Sequence, residues 1–282
     1  MRHDPPTSAA PTPDRKIRLT VEFDGSDFAG WQVQPEPART VQGTIQDALA
    51  RLPGQHGPVL AAGRTDAGVH ALAMAAHVRT TTPIKSVRLA AAINSQLPHD
   101  VRILAAEPAD EHFEAQFSCR YRRYLYRLRE SAVPLVAGAL DRNRVLTVAG
   151  PLDWHAMNTA SSQLLGTHNF ASFATQETRS TVRTVHLATF EPWGHEMWFH
   201  IAADGFLRGM VRTVLGTLLE VGRGRRTPDS IEHLLAAEDR RLAGPTQPAH
   251  GLYFAEAGYG PWDRAASDDA FLRQVPWPRP SA

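Results

Sequence analysis

Residues 58–79, PVLAAGRTDAGVHALAMAAHVR, hold two short apolar runs, Pro58–Ala62 and Leu72–Arg79, on either side of the loop GRTDAGVHA. Runs of this length bounded by glycine read as strands. On the N-terminal side, Thr40 is placed to cap a helix reaching about Leu52, with Val41, Ile45, Ala48 and Leu49 on one face. Before it, Lys16–Phe23 (KIRLTVEF) alternates Ile17, Leu19, Val21 and Phe23, the period of a half-buried strand, and a Gly-rich loop joins the two. On the C-terminal side, Ser86–Leu97 reads as a helix and Val101–Glu107 as a strand. The order is β-α-β-β-α-β.

The second half repeats it. Arg123–Glu130 reads as a strand, and Asp153–Leu165 as a helix with Trp154, Met157 and Leu164 inward. Val182–Pro192 and Glu196–Ala203 form a hairpin through Trp193, Gly194 and His195, Phe206–Val221 is a strongly apolar helix, and Leu252–Gly258 is the closing strand. Thr227 and Pro228 start a short extra helix, with proline at its tolerated first position. This is the split βαβ, ferredoxin-like order twice over. The expectation is an α+β protein with two ferredoxin-like halves, residues 15–110 and 111–260, a largely antiparallel sheet and a cleft between the halves. Residues 1–14, rich in Pro, Thr and Ala, are expected to be a disordered tail, and 261–282 a C-terminal tail with too little apolar content for a third domain.

Composition removes several classes. The lone cysteine, Cys119, excludes an intramolecular disulfide framework and a Cys-rich zinc module. No apolar run approaches the roughly 18 residues of a membrane span, and the N-terminus lacks a secretory apolar core, so the expected setting is cytoplasmic. The net charge is only +1, yet of 30 basic residues only Lys16 and Lys85 are lysines, so Arg supplies 28. Arginine gives bidentate phosphate recognition, although codon bias accounts for most of this excess. Localised arginine surfaces are expected rather than a globally basic protein.

Three stretches carry candidate chemistry. Asp66 lies in the GRTDAGVHA loop with Arg64 two residues away, which could hold the carboxylate ionised or touch a phosphate. The alternative is a turn aspartate capping its own backbone. Residues 118–129, SCRYRRYLYRLR, interleave five arginines with three tyrosines and contain no acid. In a strand, Arg122, Tyr124 and Tyr126 share one face and Arg123, Leu125 and Arg127 the other, suited either to base stacking with phosphate contacts or to ordinary sheet packing. On the helix 206–221, Met210, Val214, Leu218 and Val221 form a seam, while Arg208 and Arg212 share a face. Asp66 is a partner for Arg212 unless that face is simply solvated. His70 and His77 lack metal-ligand spacing, so no metal is expected.

Four separated segments, FDGSDFAGWQVQP with TVQGTIQDAL (23–35 and 40–49), AGRTDAGVHA (62–71), FSCRYRRYLYRL (117–128) and FLRGMVRTVLGTLLEVG (206–222), resemble the tRNA pseudouridine synthase A family. INSQLPHDVRI (93–103), GTHNFASF (166–173) and GLYFAEAGY (251–259) add to it, so the resemblance spans residues 16–259 in order. It implies isomerisation of uridine to pseudouridine in the tRNA anticodon stem-loop, at positions 38 to 40, without cofactor or metal. It also implies a homodimer with tRNA lying across both subunits, and two ferredoxin-like halves related by pseudo-symmetry. By motif match Asp66 is the essential catalytic aspartate, whether it attacks the sugar, attacks the base or removes a sugar proton. Arg64 holds the extruded nucleotide, Tyr124 stacks on the uracil and helps remove its C5 proton, Arg212 pairs with Asp66 and keeps it ionised, and Leu252 packs against the base. The segment reads RYRRYLYRL where the family is closer to RTYRYLI, so Tyr121 and Tyr126 are the alternatives to Tyr124 under a slipped register. Two other readings are a non-catalytic RNA-binding protein of this fold and a metal-assisted hydrolase using Asp24, Asp27, Asp66 and His70.

Overall fold

Alternation sets the sheet. In a computed structural model describing residues 13–35, 38–132, 138–175 and 180–277, the first strand is β1 (Arg15–Phe23), with Ile17, Leu19, Val21 and Phe23 buried. It is followed by α1 (Val41–Ala50), β2 (Leu60–Ala61), β3 (His70–Thr80), α2 (Ser86–Asn94) and β4 (Val101–Pro108). The second half runs β5 (Tyr121–Ser131), β6 (Leu146–Ala149), α3 (Trp154–Ser162), β7 (Gly166–Asn169), β8 (Val182–Trp193), β9 (Glu196–Ala203), α4 (Met210–Gly222), α5 (Ser230–Ala237), β10 (Leu252–Gly258) and α6 (Arg264–Gln274). The tail expected over 1–14 lies outside the described residues except for Pro13 and Asp14.

In the first half β1 pairs antiparallel with both β4 and β3, and β2 pairs antiparallel with β3, giving the order 4-1-3-2 of a ferredoxin-like unit. In the second half β10, β5, β9 and β8 are neighbours in that order, all antiparallel, so the same arrangement recurs. The two units fuse into one sheet along a short parallel seam, Tyr253 opposite His70 and Phe254 opposite Ala71. The seam puts the β2–β3 loop of one half beside β5 and β10 of the other.

One core joins the sheet to α1 through α5 and includes Tyr124, Tyr126 and Phe254. Thr40 caps α1 by accepting from Gly43 N, as its sequence position predicts. Met210, Val214, Leu218 and Val221 are all buried, but so are Val211, Leu215 and Leu219, making α4 a central rather than a surface helix. Leu72, Leu125, Trp198, Tyr253 and Ala255 form a second cluster closed by Phe271 of α6. The alternation read for β5 therefore holds, with Tyr124 and Tyr126 in one cluster and Leu125 in the other.

Boundaries differ in places. The apolar helix begins at Met210 rather than Phe206, because Gly209 before it is left-handed (φ +71°). The helix expected to Leu165 stops at Ser162, and residues 166–169 join the sheet as β7. The stretch from Pro261, read as a tail, contains α6, capped by Asp263, which accepts from Ala265 N and Ala266 N.

Candidate active site

Asp66 occupies the loop between β2 and β3, where Val69 N donates to its carbonyl. The segment 24–31 is laid against this loop: Trp31 N donates to Thr65 O (3.1 Å) and Gly68 N to Phe28 O (3.3 Å). Gly30, at φ +104°, allows the approach, since a Cβ there would stand 2.6 Å from Thr65 O. Phe28 lies under the Arg39 guanidinium (4.0 Å), which forms a bidentate pair with Asp100. The motifs FDGSDFAGW and INSQLPHD thus act as a buttress for the aspartate loop.

The other half supplies the partner. From the first turn of α4, Arg212 Nη1 reaches Asp66 Oδ2 at 3.1 Å, while its Nε donates to Gln247 O at 2.6 Å. Arg64, the sequence-local candidate for holding the carboxylate, is instead exposed and has no hydrogen bond or ion pair among the described residues. Tyr124 on β5 is walled by Phe206 and Phe254, edge to face at 5.0 and 5.3 Å. Burial first, and the negative charge of Asp66 second, push its phenol well above the usual tyrosine range. Its hydroxyl has no hydrogen-bond partner among the described residues. The alternative tyrosines are tied elsewhere: Tyr121 donates to Glu256 Oε1 (2.7 Å) and Tyr126 to Pro248 O. Leu252 opens β10 opposite Tyr126 and is buried, two residues from the Phe254 ring that faces Tyr124.

The arginine stripe serves packing more than phosphate binding. Arg123, 2% exposed, donates to Asp268 (2.7 Å), Ser267 and His200; Arg127 pairs with Glu196 (2.8 Å), and Arg129 with Asp141 (2.9 Å). Arg122, on the Tyr124 face, donates to three backbone segments at once: Ala62 O (2.9 and 3.0 Å), Gln116 O (2.8 Å) and Asp204 O (2.8 Å). Sequence reasoning missed this clamp and the aromatic walls Phe206 and Phe254. The signal available was only their place at the edges of FLRGM and GLYF.

Asp24, Asp27, Asp66 and His70 do not gather into one ligand set. His70 is spent, its Nδ1 accepting from Gly25 N (3.0 Å) and its Nε2 facing Asn143 O (2.8 Å) and His250 O (3.1 Å). The neighbouring His70, Ser26 and Arg144 hold Asp24 far below the usual carboxylate range. Among the described residues no three His, Cys, Asp or Glu side chains converge as metal ligands.

A carboxylate held by an arginine from the opposite half, beside a walled tyrosine in a doubled ferredoxin-like sheet, defines an α+β protein with a candidate site where the two halves meet. The chain belongs to the tRNA pseudouridine synthase family, whose model matches residues 19–122 and 160–260. It is 45% identical over 249 residues to tRNA pseudouridine synthase A of Thermus thermophilus, covering 87% of this chain and 97% of that protein. It is 39% identical over 247 residues to the enzyme of that name from an Exiguobacterium species, covering 87% and 98%. With that of Chloroflexus aurantiacus it shares 44% over 256 residues, covering 88% and 90%. α6 lies beyond the residues that the family model matches.

Proposed function

We propose that this chain is a tRNA pseudouridine synthase, an isomerase that converts uridine to pseudouridine in the anticodon stem-loop at positions 38 to 40, with Asp66 as its essential carboxylate. The observation that carries this reading is the 3.1 Å contact that fixes Asp66 from the other half of the sheet. In the reaction the N1–C1′ bond breaks, the uracil turns, C5 bonds to C1′, C5 gives up its proton and N1 gains one. Cleavage of a glycosidic bond develops oxocarbenium character, which an oriented carboxylate stabilises or traps. Extruding the target costs a few kcal/mol of stacking. Tyr124, Arg64 and Leu252 are the groups we assign to recover it, the first by stacking on the uracil, the second by meeting a phosphate and the third by apolar contact. With its phenol pushed upward, Tyr124 is protonated at neutral pH and serves as a stacking surface and donor rather than as a base in the free enzyme.

The halves 15–110 and 111–260 form the two walls of the cleft in this reading, no cofactor takes part, and the working unit is a cytoplasmic homodimer. No helix among the described residues is long and apolar enough to cross a membrane. The test is tritium release from tRNA labelled at uridine C5, in chelator, comparing wild type with Asp66→Asn. Release by the wild type, reduced at least about a thousandfold in the variant while tRNA binding persists, is the expected result. A folded wild type that binds tRNA and releases nothing overturns the reading in favour of a binding protein.

A further inference from the structure

Phe117 is 83% exposed, the only aromatic among the large hydrophobic side chains left in solvent by the described residues. A loose loop would make this unremarkable, but several hydrogen bonds hold this one. Ser118 N donates to Glu114 O (2.8 Å), and Ser118 Oγ accepts from Glu114 N (3.0 Å). His77 Nδ1 accepts from Ala115 N (3.1 Å), Tyr259 donates to Ala115 O (3.0 Å), and Lys16 donates to Phe113 O (2.7 Å). Phe113, four residues earlier, turns inward against His77 and Tyr259. One phenylalanine of the loop is packed and the other is displayed.

Arg122 fixes where it is displayed. Its Nη2 donates both to Gln116 O (2.8 Å) and to Ala62 O (2.9 Å), so the residues before Phe117 and before Gly63 are joined through a single nitrogen. Phe117 therefore stands at the entry of the Asp66 loop. Arg120, three residues after Phe117, and Arg64, two residues after Ala62 on the joined segment, are both exposed and without ion pairs among the described residues. Nearby Asp204 turns one carboxylate oxygen to Thr184 N. A solvent-facing ring on a held loop, with exposed guanidinium groups on both joined segments, has the chemistry of a platform for an unstacked base with its phosphates.

We propose that Phe117 is a stacking platform for a nucleobase of the RNA next to the reacting nucleotide, held at the cleft by Arg122. This rests on the tRNA reading above and adds a subsite to it. The test uses the full chain and an unmodified tRNA transcript, with equilibrium binding, thermal melting and sedimentation measured for Phe117→Ala, Phe117→Leu and Phe117→Trp. Because the ring is exposed, all three variants should melt as wild type does. The alanine and leucine variants should bind about 5- to 150-fold more weakly, the range of one lost base–aromatic stack, and the tryptophan variant should bind at least as tightly as wild type. Equal affinity in all four proteins overturns the proposal. So does restored binding in Phe117→Leu, which shows an apolar contact without stacking. A drop in molecular mass for Phe117→Ala also overturns it, assigning the ring to a contact between copies of the chain. Tritium release by the wild type, run alongside, tests the reaction separately from the subsite.

Discussion

Arg212 Nη1 and Asp66 Oδ2 lie 3.1 Å apart across 146 residues of chain, one on the first turn of α4 and the other in the β2–β3 loop. The pair exists only when the two halves are docked. Both side chains are partly solvated, 23% and 37% exposed, so the ion pair contributes at most about 1 kcal/mol to stability. Its value lies in direction: Arg212 is held by Gln247 O and in turn aims one carboxylate oxygen. Arg212→Lys keeps the charge but cannot span both partners. It is expected to lower the single-turnover rate about 10- to 1000-fold while the melting temperature stays within a few degrees. A variant with unchanged rate would show that the carboxylate needs no such aiming.

Gly216, one turn beyond Arg212, lets the chain at 244–247 pass directly over α4, since a Cβ at that position would stand 1.8 Å from Pro245 O. Helix propensity alone favours alanine over glycine by about 1 kcal/mol. The clash should outweigh it, so Gly216→Ala is expected to destabilise by about 1–3 kcal/mol. It should also reduce turnover by moving Gln247 away from Arg212. A higher urea midpoint in this variant would mean that the segment yields freely.

Phe271 is 1% exposed and is the main plug that α6 sets into the second cluster, over Trp198 and His200. Its truncation leaves a cavity, so Phe271→Ala should cost about 3–5 kcal/mol of unfolding free energy. Denaturant titration measures it. An unchanged midpoint would show that α6 is detached in solution.

What the sequence reveals of this fold follows from how local the cause is. β1 is long and alternating and β3 is a nearly continuous apolar run, and the order of elements around them determines a doubled 4-1-3-2 sheet. α6 escaped because its anchors are few: Arg264–Gln274 is mostly Ala, Asp and Arg, and Phe271 acquires meaning only against Trp198 and His200, far away in the chain. β7 is four residues long and largely exposed, with no pattern to read. The arginines of 118–129 misled for the same reason. Asp268 is 145 residues from Arg123 and Glu196 is 69 from Arg127, so a stripe without local acids is neutralised by distant ones. From the residues alone the partner of Asp66 is either Arg64 or Arg212; the resemblance points to Arg212, and the geometry has Arg212 in contact with it.

His200 gives the protein a pH dependence of predictable sign. It is buried, and burial first and the charge of Arg123 second hold its imidazole well below the usual histidine range, with Nδ1 accepting from Arg123 Nη2 at 3.1 Å. The native state keeps the ring neutral, whereas the unfolded chain takes up a proton near pH 6.5. Unfolding therefore binds a proton below about pH 6.5, and stability present above that value is lost as pH falls, by up to about 1.4 kcal/mol per pH unit for this one group. His77 and His250, also lowered by burial, act in the same direction. His200→Asn retains an acceptor for Arg123 and removes one titrating group, while the other histidines cancel in the comparison. Urea midpoints at pH 7.5 and 5.5 should fall more steeply for the wild type than for the variant. Identical pH slopes would mean that His200 takes its proton inside the folded protein, and that the Arg123 contact breaks before the fold does.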